Sequence, residues 1–319
     1  MKTTRLAGFG LFFAAAVCYG ADIGVVTTVD GGVRVLRGFT WYKLAEGARV
    51  QDGDLVDAAE RAQVQIELTS GQIVNLAGPA GLLAVSAGGA RDAKQSAPAE
   101  VYFPRGWLKM AAKQGAALRV RTAAGTLSAS DAVAVVHAEA DAIEVFVETG
   151  SAKLQEPGRG GGDGALHDVK VGEFALRASD RPFATAGAAP LKFVAAMPRH
   201  FRDPLPARAA QYAVVRVQPT ADRPISFAEA EPWLAGPYRR LFIRRLQPRL
   251  SDPEFRAAAM AKPQAYPEWQ VSLAPGETAP KEKEKEKEKT EPPKAAEAPK
   301  PPEKPQSIFR WPFGGDNKK

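Results

Sequence analysis

The sequence predicts a mainly β protein, either a sandwich or a short twisted solenoid, followed by a small helical segment and a disordered tail rich in Lys, Glu and Pro. Three observations predict it. Val64, Ile66 and Leu68 alternate with Gln63, Gln65 and Glu67, the period of a strand with one buried face. Runs of this kind, parted by Gly- or Asp-bearing turns, recur at intervals of about 10–20 residues through the first half of the chain. From Lys281 to Lys289 the chain alternates Lys and Glu, and the Pro-, Lys- and Ala-rich run after it has too few large apolar residues to build a core.

The first element is an export signal over residues 1–21. Lys2 and Arg5 precede an apolar run from Leu6 to Val17, and Cys18-Tyr-Gly20 leads to a cleavage point near Gly20 or Ala21. That run is shorter than the ~20 residues that span a bilayer. The mature chain is therefore expected in the periplasm or secreted, with no transmembrane span. Val17 stands where a lipid-attachment signal needs a small residue, so Cys18, the single cysteine, is expected to leave with the signal. Stability then rests on burial and not on disulfides. The net charge of +7 becomes +5 once Lys2 and Arg5 are removed, a balance that permits attraction to anionic polymers without requiring it.

Residues 22–185 read as the β module. Val33–Gly38 is an apolar strand, Gly53-Asp54 a tight turn, and Thr69-Ser-Gly71-Gln a hairpin turn leading to Ile73 and Leu76. Trp41 and Tyr42 are expected to cap the sheet between two strands, and residues 84–100 to form an exposed loop. The second half repeats the pattern in Leu118–Thr122 and Val133–His137. Ile143–Val147 and Ser151–Leu154 read as a hairpin about Glu148-Thr-Gly150. Arg159–Gly164 lacks the helix and the Gly-Lys-Ser/Thr ending of a phosphate loop, so it reads as a flexible connection. Val169–Leu176, turning at Gly172, is the expected closing strand pair.

In this order of strands and turns the chain resembles the FecR domain, a β-rich periplasmic module of regulators of iron uptake. The resemblance runs over roughly residues 25–185 and continues through Gly106-Trp107-Leu108-Lys109, Leu118–Thr122 and Val145–Leu154. It rests on patterns of turns and strands, not on catalytic letters. It implies a sensory or protein-interaction module and, by position in the motif, makes Trp107 and Lys109 candidate partner contacts. Full-length relatives of the ferric-citrate type carry a cytoplasmic anti-sigma segment and a membrane span ahead of this domain. Here the expected cleavable signal stands in their place, so direct control of a sigma factor is not carried over.

Residues 186–224 read as a Pro-rich connector lying against the module through Phe193, Phe201 and Leu205, with Val214–Val217 as one further strand or an extended segment. Residues 225–273 read as a short helical cap. Ser226 and Glu229 have the spacing of a capping box, Tyr238–Leu246 sets Leu241, Phe242 and Leu246 against Arg239, Arg240 and Arg244, and Ser251-Asp-Pro-Glu254 starts a third helix. Arg239, Arg240 and Arg244 are candidate contacts by charge. The tail, 274–319, ends in Ile308–Phe313, where Phe309 and Trp311 are candidate docking residues on a long tether.

These observations favour a non-enzymatic envelope protein that binds a partner, with peptidoglycan or a surface polysaccharide as the alternative ligand. Nucleic acid is excluded by export. No cofactor or metal is expected, because His137, His167 and His200 have no ligand spacing and no nucleophile turn is present. An enzyme would need a pocket that brings one of these histidines beside a carboxylate.

Overall fold

A computed structural model describes residues 21–85, 98–158 and 162–270. Residues 1–20 of the expected signal, most of the predicted 84–100 loop, Arg159–Gly161 and the tail with Phe309 and Trp311 lie outside the described residues.

The first half contributes β1 (Asp22–Asp30), β2 (Val33–Arg37), β3 (Thr40–Lys43), β4 (Arg49–Gln51), β5 (Leu55–Ala58), β6 (Gln63–Leu68) and β7 (Ile73–Val85). The second adds β8 (Ala99–Ala112), β9 (Leu118–Arg121), β10 (Thr126–Glu139), β11 (Ala142–Pro157), β12 (Asp163–Lys170) and β13 (Phe174–Ala178). Two short strands follow, β14 (Ala184–Ala186) and β15 (Thr220–Pro224). All fifteen join one open mixed sheet, in which β8 and β9 pair in parallel and the other ladders are antiparallel.

Alternation assigns the two faces. On one face Val64, Ile66, Leu76, Leu108, Val136, Val145 and their neighbours form the main core, drawn from almost every strand. Residues of opposite parity point outward, where two later parts of the chain cover them. Leu36, Trp41, Leu55, Leu83 and Tyr102 meet the helical cap, while Ala77, Val135 and Phe174 meet the connector. Trp41 and Tyr42 do not cap a sheet end. They form β3, and Trp41 is buried beneath the cap. Ala84 and Val85 continue β7, and Ala99 and Glu100 open β8, so the ends of the predicted loop are strand.

The expected hairpin at Glu148-Thr-Gly150 does not form. β11 runs straight through it, opposite β10, and the ladder register shifts between Ala129 and Ala132. Gly150 sits at this irregularity with φ +71°, and a Cβ there would lie 1.9 Å from the Asp131 carbonyl oxygen. The glycine permits a bulge, not a reversal. β12 and β13 also depart from the expected closing pair. Each pairs with β11, at Ser151–Pro157 and Ala142–Phe146 respectively, and Gly172 turns the chain between them at φ +80°.

The connector carries α1 (Leu191–Ala196), whose Phe193 is buried with Phe201, while Leu205 is only half-buried. Val214–Val217 forms no strand: Val214 is 94% exposed, and Val217 makes one isolated parallel bridge to Ala48. The cap comprises α2 (Phe227–Leu234), α3 (Arg239–Leu246) and α4 (Pro253–Met260). The Ser226–Glu229 capping box is formed, and Asp252 caps α4 through the Glu254 and Phe255 amides. Among the described residues no helix is long and apolar enough to cross a membrane.

Glu229 also ties the cap to the sheet. It accepts both Arg223 guanidinium N–H groups at 2.8 Å and pairs with Arg34 on β2 at 3.0 Å. The Arg223 bonds, helped by the Ser226 donors and the Arg34 charge, hold its carboxyl well below the usual glutamate range. A depressed folded-state pKa contributes stability that is complete above the unfolded value and fades as pH falls through the folded one. The stability gap between wild type and Glu229→Gln is therefore expected to be largest above about pH 5 and to shrink steadily in denaturant titrations toward about pH 2. A gap independent of pH would contradict this role.

Candidate functional site

On the outer face, ladder register places four side chains in one row. Trp107 on β8 lies opposite His137 on β10, His137 opposite Glu144 on β11, and Glu144 opposite Leu176 on β13. Neighbouring strands hold such a row within contact distance. The Trp107 and His137 rings stack with centroids 4.2 Å apart and planes 18° from parallel. His137 Nδ1 is 2.8 Å from Glu144 Oε2, and Nε2 is 4.0 Å from Glu139, two residues along the same strand face. α1 supplies the opposite wall, with Phe193 tilted against Trp107 at 5.1 Å and Lys192 and Ala196 beside it. The result is a half-open groove of about 200 Å³ with an aromatic floor and an acidic rim. Such a surface can receive a cationic or aromatic side chain through ring contact and ion pairing.

The next row on this face, two residues along the strands, has the opposite fate. It contains Asn75, Lys109, Val135, Phe146 and Phe174, and the connector lies over it. Lys109, the second candidate from the motif, is 1% exposed. Its Nζ is 2.8 Å from a Glu148 carboxylate oxygen and donates to the carbonyls of Phe201 at 2.5 Å and Asp203 at 2.9 Å. Lys109 is therefore a clamp for the connector and offers no surface to a partner. Gln65 donates to the Pro206 carbonyl, the Arg208 amide donates to Glu67, and Arg49 donates to the Tyr212 and Val215 carbonyls. A Pro-rich segment has few amides for a ladder, and here polar side chains of the sheet satisfy its carbonyls instead.

The candidate arginines separate as well. Arg239 is held inside the cap, bidentate to Glu268 at 3.1 and 2.7 Å, bonded to the Ala265 carbonyl and set over the Tyr266 ring. Arg240 and Arg244 face solvent. Of the other arginines of the cap, Arg249 pairs with Asp252, and Arg245 packs over Phe242, where burial lowers its pKa against the pull of Asp54 and Asp52. The sequence thus predicted a broader patch than the fold leaves exposed.

Two histidines lie beside carboxylates, the arrangement an enzyme would need. One is His137 in the groove. The other, His167, is 2.9 Å from Glu156 and rests against Phe183. Glu156 also accepts the Phe183 amide, and that bond leads the lowering of its pKa. His200 packs edge-on against Phe201, and burial pushes its imidazole pKa down. No group of three or more His, Cys, Asp or Glu side chains converges in a metal-binding arrangement among the described residues. Sequence reading named Trp107 but missed His137, Glu144 and Lys192 as its companions. The signal that could have found them is shared parity on adjacent strands, which becomes useful only once β8, β10 and β11 are known to be neighbours.

No family model matches the chain, and no curated protein matches it. Among solved structures it is similar to two crystal structures from Parabacteroides distasonis, each described as a "putative anti-sigma factor", at 2.50 and 1.65 Å resolution. Identity is 14% and 16%, with TM-scores of 0.36 and 0.35. Each alignment covers 44% of this chain and 62% or 63% of the other, under two thirds of its length. Likeness at this level assigns neither a family nor a function to this chain.

Proposed function

We propose that the chain is a non-enzymatic, FecR-like interaction module of the cell envelope, exported to the periplasm, whose outer-face groove receives a side chain of a partner protein. The observation that carries the reading is the Trp107–His137–Glu144 row, left half-open while the adjacent row is sealed by the connector. The His137 ring is engaged by the Trp107 stack on its face and by Glu144 at Nδ1, a rigid arrangement suited to presenting an aromatic surface.

A second reading, attachment to cell-wall polymer, draws on Arg240 and Arg244, the solvent-facing cations of α3. Sedimentation with purified peptidoglycan separates the two. The interaction-module reading predicts that wild type and the Arg240→Glu/Arg244→Glu variant distribute identically between pellet and supernatant at low salt. Retention of wild type that is lost with salt and in the double variant would replace it with the polymer reading.

A further inference from the structure

We propose a second, separate ligand site: a pocket for a single compact anionic group, a carboxylate or a phosphate, lined by Arg37, Arg49 and Arg216. It is a cavity of about 340 Å³ between the starts of β1 and β4, the end of β2 and the connector at residues 216–219. None of these residues belongs to the Trp107 groove.

Arg37 is fixed by Asp54, with Nε at 3.1 Å and Nη2 at 2.7 Å from the carboxylate oxygens, and Nη2 also donates to the Arg49 carbonyl. Asp54 is itself buried and accepts the Gln51 amide, so it is locked behind Arg37. Arg49 is different. Its Nη2 donates to two neutral carbonyls, Tyr212 at 2.6 Å and Val215 at 3.3 Å, and its buried Nε has no hydrogen-bond partner. Arg216 reaches Asp22 Oδ2 at 3.3 Å with its side chain 70% exposed, a weak surface pair. Arg245 approaches the same turn from the other side, against Gly53, where Asp52 and Asp54 oppose its charge. With Asp54 assigned to Arg37 and Asp22 to Arg216, the pocket keeps the Arg49 charge in surplus. Guanidinium forks match carboxylate and phosphate oxygens in geometry as well as charge. The volume exceeds that of a bare ion and leaves room for the sugar or peptide unit that would carry the group.

The connector builds this site, since Arg216, Val217, Gln218 and Pro219 form one wall. The Ala48–Val217 bridge and the Arg49 bonds to Tyr212 and Val215 hold that wall in place. Occupancy is thereby linked to the seating of the connector on the sheet.

The test is titration of the full chain by calorimetry with N-acetylmuramic acid, with inorganic phosphate, and with neutral N-acetylglucosamine as control. The proposal predicts saturable binding of at least one anion, weakened by salt, and none of the neutral sugar. Arg216→Glu, at an exposed position, is expected to weaken that binding about tenfold or more without moving the melting temperature. The carboxylate and phosphate arms identify the source of the charge. Absence of saturable binding for both anions, equal binding of the neutral sugar, or affinity unchanged in Arg216→Glu would each overturn the site. Crosslinking through the Trp107 groove is expected to be the same in Arg216→Glu as in wild type, so failure here is distinguishable from failure of the groove.

Discussion

Replacing Lys109 by Met is expected to destabilise the protein by about 2–4 kcal/mol, because it removes one partner of a buried ion pair and leaves the other in place. Met keeps the length of the stem, so the loss reports the ammonium group and not a cavity. Three acceptors lose their donor: the Glu148 carboxylate and the carbonyls of Phe201 and Asp203. Glu148 keeps some contact with solvent, its side chain 25% exposed, which holds the estimate below that for a fully buried charge. Adding Glu148→Gln should recover part of the loss, since no uncompensated carboxylate then remains, while the two connector carbonyls stay unpaired. Denaturant midpoints measure both effects, and hydrogen exchange at residues 199–208 shows where they act. A loss below about 0.5 kcal/mol for Lys109→Met, as at an ordinary surface position, would contradict the clamp.

Trp269→Ala is expected to cost about 3–5 kcal/mol, the range for deleting a buried aromatic side chain. Trp269 is 1% exposed at the end of the cap. Its ring meets Phe255 and Tyr266, and its Nε1 donates to the Ile243 carbonyl of α3 at 3.0 Å. The cap is small and shares its core with Leu36, Trp41, Leu55 and Leu83 of the sheet. A cavity at Trp269 is therefore expected to loosen α3 and α4 together and to expose Trp41 to solvent. Urea unfolding followed by tryptophan fluorescence reads both. A shift equivalent to less than about 1 kcal/mol would mean that the cap is not held by this residue.

The main core was legible because it depends on local alternation alone. Val64, Ile66 and Leu68 could be assigned to one face without knowing which strands they would meet, and the Ser226–Glu229 and Asp252 caps likewise depend on residues three apart or fewer. What failed to show in the sequence depends on partners distant along the chain. Gly150 has the letter of a turn, and only the close approach of Asp131 across the ladder makes it a bulge. Trp41 and Tyr42 looked like a cap for a sheet end because the helices that bury Trp41 begin nearly two hundred residues later. Lys109 and Trp107 share a motif and a parity, yet one is sealed and the other half-open. The difference lies in where the connector crosses, which follows from carbonyls at Phe201, Asp203 and Pro206 finding donors on the sheet. Local pattern fixes which face a side chain takes, whereas the covering of that face is a tertiary property.

The reading of the groove as a protein contact is tested most directly by a photo-crosslinking residue placed at Lys192, on the exposed rim beside Trp107, in the full chain expressed in living cells. Adducts are then identified by mass spectrometry. The expected result is a discrete protein adduct whose yield falls several-fold when Trp107→Ala is added, with the level of the chain unchanged. Adducts confined to wall fragments, or a protein adduct indifferent to Trp107→Ala, would contradict the groove as the contact.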